Sequence, residues 1–158
     1  MTSSLHICEE CGHDSEKEFV PYKTKRVGKP TKIFIPTKPQ PASRVRVSRY
    51  GSYHLKSYAD FLRECSFFLK TLKKLNPPKE GMFEVELDII CKKPKKPVNE
   101  YPRGDIDNYV KGYLDAITKA GLFWEDDIQV IKLVATKRYQ ETGEDYGAKL
   151  RVTELTGV

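Results

Sequence analysis

The chain lacks any apolar run approaching the ~20 residues that a membrane-spanning helix requires. Its first residues, MTSSLHICEECGHD, lack the basic-then-apolar plan of a secretory signal. A cytoplasmic protein is the expectation, nucleoid-associated or in a phage-infected cell. Cysteine is scarce, four in 158 residues. Cys65 falls in an expected helix and Cys91 at an expected strand end, where buried free thiols are ordinary. A length of 158 residues is too short for two good-sized domains, and 39% hydrophobic content is too high for disorder. The sharpest shortage is of acid, because no Asp or Glu occurs from Phe19 to Ala59.

What fills that acid-free stretch is base: Lys23, Lys25, Arg26, Lys29, Lys32, Lys38, Arg44, Arg46, Arg49 and Lys56. A second basic run, Lys92, Lys93, Lys95 and Lys96, ends at Arg103. Segregated positive charge attracts a phosphate backbone, although many such runs are only solvated surface. Interleaved Tyr22, Phe34, Tyr50, Tyr53 and Tyr58 are candidates to stack on unpaired bases.

Residues 1–30 read as an appendage to a domain over 31–158. Cys8-Glu9-Glu10-Cys11, with His13 and His6 nearby, is half of a tetrahedral zinc site. Zn²⁺ there is one reading and a plain tail the other. Thr31–Pro36 reads as a first strand. Arg44–Ser48 alternates like a half-buried strand with a basic face, and Tyr53–Leu55 as its brief return. A helix follows, capped by Ser57, with Tyr58, Phe61, Leu62, Cys65, Phe68, Leu69 and Leu72 on its buried face to about Lys74. Phe83, Val85, Leu87 and Ile89 alternate with acids, a strand. A second helix runs from about Ile106 to Lys119, burying Ile106, Tyr109, Val110, Tyr113, Leu114 and Ile117, with Gly121 as its stop. Val130–Tyr139 and Ala148–Leu155 are the last strands. The order implies an α/β (α+β) domain with a mixed sheet and two main helices.

The chemistry centres on Arg103-Gly104-Asp105-Ile106-Asp107-Asn108 at the start of the second helix. Two carboxylates at a loop-to-helix junction can face one cation, and Mg²⁺ prefers hard oxygen ligands. Asp near a helix start is also common capping. A phosphatase pair would follow an apolar strand directly, not a basic Pro-rich loop. An EF-hand loop fails at Val110 and Ala116. A glycosyltransferase pair stays open locally, but the charge suits DNA better. Lys111 shares a helix face with Asp107, either as an i,i+4 ion pair or as a cation placed for transition-state charge. Glu125-Asp126-Asp127 is either a solvated turn or a further ligand set. His54 reads as a surface or strand histidine.

Together, RGDIDNYVKGYLDAITKAGLFWEDDIQVIKL resembles the core of the RusA-type Holliday-junction endonucleases, a crossover junction endodeoxyribonuclease family. The matching residues are Asp105, Asp107, Asn108, Lys111, Asp115, Ala116, Gly121, Asp126, Asp127, Gln129 and Val130. The resemblance implies catalytic, metal-binding Asp105, Asp107 and Asp127, with Asp126 the less certain member of its pair. It implies an essential Lys111, Mg²⁺ or Mn²⁺, and a homodimer making paired symmetric nicks with 5′-phosphate products. DNA recombination, repair or phage DNA processing would be the setting. Arg44, Arg46, Arg49, Lys92, Lys93, Lys95, Lys96 and Arg103 would grip branched DNA. Gly104 departs from the pattern, because related proteins often carry a second base there. The reading from another class is a non-catalytic branched-DNA-binding protein with a zinc-bearing tail.

Overall fold

A strand with one apolar and one acidic face needs different partners on its two sides. In the computed structural model, which describes residues 23–157, β4 (Met82–Cys91) has both. Phe83, Val85, Leu87 and Ile89 are buried in the core with residues of two helices. Glu84, Glu86 and Asp88 alternate with them and take bases from the other three strands of the sheet. Glu84 pairs with Arg26 at 2.7 Å and Lys132 at 3.2 Å, Glu86 with Arg151 at 3.4 Å, and Asp88 with Arg138 at 3.1 Å. Burial pushes the Glu84 carboxyl up, but Arg26 and Lys132 outweigh it and hold the group below its ordinary value.

The main sheet has four strands in the order β1–β6–β4–β5. β1 is Thr24–Ile35, β5 is Val130–Tyr139 and β6 is Gly147–Gly157. β6 runs antiparallel to both β1 and β4, while β4 and β5 are parallel. Parallel neighbours need a crossover, and α2 (Ile106–Ala120) supplies it. The domain is thus mixed α+β with a mixed sheet and two helices, as the sequence implied.

α1 (Lys56–Lys70) and α2 pack against each other and the sheet. Tyr109, Val110, Tyr113 and Ile117 form the buried stripe of α2. Gly121 stops the helix at φ 75°, its N–H reaching the Ile117 and Thr118 carbonyls. The plug Leu122-Phe123-Trp124 is buried, and the Trp124 indole donates to Thr118 Oγ1 at 2.8 Å.

Four local expectations are corrected. β1 reaches back to Thr24, because an irregularity between Val27 and Thr31 absorbs Gly28-Lys29-Pro30, which breaks the alternation in sequence. The basic stretch near Arg44 is not half-buried. β2 (Arg46–Ser48) and β3 (Gly51–Tyr53) form a separate two-stranded ribbon, with Val47 81% exposed. α1 starts at Lys56 after Leu55, so Ser57 lies inside the first turn and is no cap. Ile106 opens α2 before the stripe turns inward and is 39% exposed. Among the described residues, no helix is long and apolar enough to cross a membrane. His6, Cys8, Cys11 and His13 lie outside the described residues.

Candidate active site

Residues 92–105 carry the chain from β4 into α2, and their last turn is held unusually firmly. Lys137, on β5, donates from Nζ to the Pro102 carbonyl at 2.9 Å and the Gly104 carbonyl at 2.5 Å. The Tyr109 hydroxyl donates to the carbonyl between them, that of Arg103, at 2.8 Å. Lys137 also lies 5.9 Å from the centre of the Tyr101 ring. Three consecutive carbonyls are thus fixed from a strand and a helix. Gly104 has φ 94°, and a Cβ there would come 3.0 Å from the Tyr109 ring. That crowding explains why no second basic side chain stands beside Arg103.

Asp105 occupies the N-cap position of α2, yet its side chain makes no capping hydrogen bond. Asp107 follows in the first turn, and both are exposed. Among the described residues, no ion pair involves Asp105, Asp107, Lys111 or Asp115. Helix capping by the Asp105 side chain and an Asp107–Lys111 ion pair are therefore not what the structure contains. Asp115, two turns beyond Asp107, accepts a hydrogen bond from the Tyr58 hydroxyl at 3.0 Å.

The second acidic segment divides its labour. Asp126 caps the 3₁₀ turn Asp127–Gln129, accepting from the Ile128 N–H at 3.0 Å. Gln129 Oε1 accepts from the Glu125 and Asp126 N–H groups at 2.9 and 3.2 Å. Its Nε2 donates to the Lys79 and Gly81 carbonyls at 2.9 and 3.1 Å. Asp126 and Gln129 build the turn and leave Asp127 as its chemically distinct member. Burial first, then the neighbouring Asp126 and Asp115 carboxylates, push the Asp127 carboxyl above its ordinary value. A bound cation would reverse that repulsion.

The structure does not bring the two acidic segments together within one chain. Lys137 ties the Asp105 end of α2 beside the C-terminal half of β5, whereas Asp127 stands just before Val130, where β5 begins. α2 has 15 residues, so its ends are separated by about 22 Å. Among the described residues, no group of three or more His, Cys, Asp or Glu side chains is placed to hold a metal ion. Asp105 and Asp107 are neighbours; Asp127 neighbours Asp126 and Asp115 instead.

The proposed DNA-contacting bases are all exposed. Arg46 lies in the β2–β3 ribbon and Arg49 in its turn, stacked 5.0 Å from the Tyr50 ring centre. Arg44 precedes the ribbon. A groove of about 480 Å³, lined by Lys38, Lys92, Lys93, Arg103 and Tyr109, runs to the loop that delivers Asp105. Lys95 and Lys96 sit further along that loop. The backbone of Ala42 donates to the Asn108 carbonyl at 2.9 Å, tying the acid-free stretch to the first turn of α2. Sequence reading missed Lys137, the Tyr109 hydroxyl and the Tyr58–Asp115 bond, since each acts through a contact between residues far apart in sequence or from an apparently apolar stripe, and Tyr58, offered above for base stacking, is buried.

A mixed-sheet domain with a basic groove leading to uncommitted carboxylates has the parts of a nucleic-acid hydrolase. The chain matches the family described as Endodeoxyribonuclease RusA over residues 36–147, a span that includes both acidic segments. It belongs to the RusA endodeoxyribonuclease family, and is an enzyme, a crossover junction endodeoxyribonuclease acting on branched DNA in recombination. Comparison with curated proteins gave no match. Enzymes of this family generally need a divalent metal. The donor chemistry here fits one: hard carboxylate oxygens, exposed at Asp105 and Asp107 and mutually repelling around Asp127.

Proposed function

We propose that the protein is a Mg²⁺-dependent (or Mn²⁺-dependent) resolvase that works as a homodimer and opens Holliday junctions by paired symmetric nicks. Asp105, Asp107 and Asp127 hold the metal, with Asp126 shaping the turn that carries Asp127. The observation that supports this reading is the family match running through Asp105 and Asp107, whose carboxylates make no ion pair. When bound, the cation supplies Lewis acidity toward a phosphoryl oxygen and a more acidic water. Lys111 places a positive charge one turn from Asp107, where it offsets negative charge on the pentavalent phosphorus. Arg44, Arg46, Arg49, Lys92, Lys93, Lys95, Lys96 and Arg103 hold the junction arms. The nuclease domain reaches back at least to Thr24 in β1, and recombination-coupled repair or phage DNA processing is its setting.

Cleavage of a synthetic four-way junction tests this. Asp107→Asn should lose cleavage by two orders of magnitude or more, roughly the scale of a missing transition-state interaction, while junction binding in Ca²⁺ persists. Lys111→Ala should also cut poorly and bind well. Wild-type-like cleavage by Asp107→Asn would remove the metal assignment, and failure of Lys111→Ala to bind would make that lysine an anchor.

A further inference from the structure

We infer that Gln129 is a positioning residue for the proposed reaction, its one side-chain amide bolting the turn that carries Asp127 to the segment that leads into β4. The inference rests on the reading of Asp127 as a metal ligand and deepens it. An amide offers two acceptor sites on oxygen and two donors on nitrogen. Gln129 uses all four. Its oxygen takes the Glu125 and Asp126 N–H groups, inside the turn. Its nitrogen reaches the Lys79 and Gly81 carbonyls, 50 and 48 residues away in sequence. One side chain thus joins the connection after α2 to the connection before β4.

Two forces act against that arrangement, which is why the bolt matters for the site. Glu125, Asp126 and Asp127 are consecutive acids, and like charges so close push the segment apart when no cation is bound. The chain also enters the turn under strain. Phe123 is buried at φ 64°, left-handed backbone that a residue with a Cβ adopts at a cost. Such strain persists only where the surroundings enforce it. The segment before β4 enforces it here: the Phe123 N–H donates to the Asn76 carbonyl at 3.2 Å, and the Lys79 N–H donates to the Phe123 carbonyl at 2.9 Å. Backbone bonds hold the entry to the turn, and the Gln129 amide holds its body. Without the amide, charge and strain both favour a relaxed turn, and Asp127 leaves the place where it meets the cation.

Metal titrations on the full-length chain decide the matter. Gln129→Met keeps the length of the side chain and loses the amide. It should lower kcat on a four-way junction about 10–100-fold, the usual effect of removing a partner behind a metal ligand. The Mn²⁺ concentration for half-maximal rate should rise by a similar factor, and excess Mn²⁺ should restore most of the lost kcat. KM for the junction, and affinity in Ca²⁺, should stay as in the wild type. Calorimetry with Mn²⁺ alone should show the same loss of affinity, a readout independent of cleavage. Gln129→Asn keeps the amide but is one methylene shorter, so it reaches one segment and not both. It should fall between Gln129→Met and wild type, and it carries the test if Gln129→Met does not fold. Ile35→Val, which trims a buried residue at the far end of β1, is the destabilised control. It should keep the wild-type kcat and Mn²⁺ requirement. A wild-type kcat and Mn²⁺ requirement in both Gln129 variants, even with a lowered Tm, would reduce Gln129 to a staple of the fold and overturn the inference. A raised KM with kcat intact would overturn it too, by placing Gln129 on the DNA. Full activity in Asp127→Asn would instead remove the metal reading on which the inference rests.

Discussion

Asp127 is the residue whose surroundings speak most directly to its role. Burial and two neighbouring carboxylates raise its pKa in the folded chain. A raised carboxyl pKa means that the folded state holds the proton more tightly than the unfolded state. Ionised Asp127 therefore weakens the metal-free fold at neutral pH, and the penalty fades as pH falls toward the ordinary carboxylate range. Asp127→Asn should raise the metal-free Tm at pH 7, with the difference disappearing near pH 4. Adding Mg²⁺ should raise the wild-type Tm and not that of the variant. Thermal melts across that range check it, and a destabilised variant at pH 7 would show that Asp127 has a structural partner instead. Asp126 behaves differently, since its carboxylate already caps a turn, and Asp126→Ala should lower Tm by the loss of a cap, about 1 kcal/mol.

At the scale of elements, the loop into α2 carries the strongest design. Its basic half faces the groove, and its last three carbonyls are pinned by Lys137 and Tyr109. Ammonium-to-carbonyl bonds are charge-assisted and rigid. They separate the segment that would move with DNA from the residues that would hold the metal. Lys137→Met should lower cleavage roughly 10–100-fold, the usual effect of removing a partner behind a metal ligand, with junction affinity little changed. Lys137→Arg should recover much of the loss. Equal loss of binding and cleavage would mean that Lys137 contacts DNA itself. Here the sequence was only partly legible. Asp105, Asp107 and Gly121 stood at their helix ends by local rules, and Val130–Tyr139 matched its strand residue for residue. Lys137 looked like any strand lysine, because its partners are 33 and 35 residues away. Val45 and Val47 misled for a related reason, since alternation marks a strand and does not say whether anything packs on it.

For the whole molecule, the distribution of charge sets behaviour. Under the proposed reading, base concentrated in the β2–β3 ribbon and the 92–103 loop would make junction binding an exchange of protein cations for condensed counterions. Replacing Lys92, Lys93, Lys95 and Lys96 with Gln should flatten the plot of log affinity against log salt by about 0.9 for each phosphate that the loop no longer neutralises. Fluorescence anisotropy in Ca²⁺ at several salt concentrations measures it, and an unchanged slope would take that loop off the DNA. The family was readable from the motif between Asp105 and Val130, and the fold class from the order of strands and helices. The separation of the acidic segments follows from the helix that the same reading places between them, with Asp105 at its start and Asp126-Asp127 past Gly121.

The sheet order has a consequence for how the chain reaches this state. β6 comes last among the described strands but lies inside the sheet, between β1 and β4, and Thr24 pairs with Gly157. Until Gly147–Gly157 emerges from the ribosome, β1 has no neighbour to pair with. The β4–α2–β5 crossover can form early, whereas the register between β1 and β6 closes only after Gly147–Gly157 has been made. Such long-range closure is slow, so β1 stays unpaired, with its bases exposed, until β6 joins it.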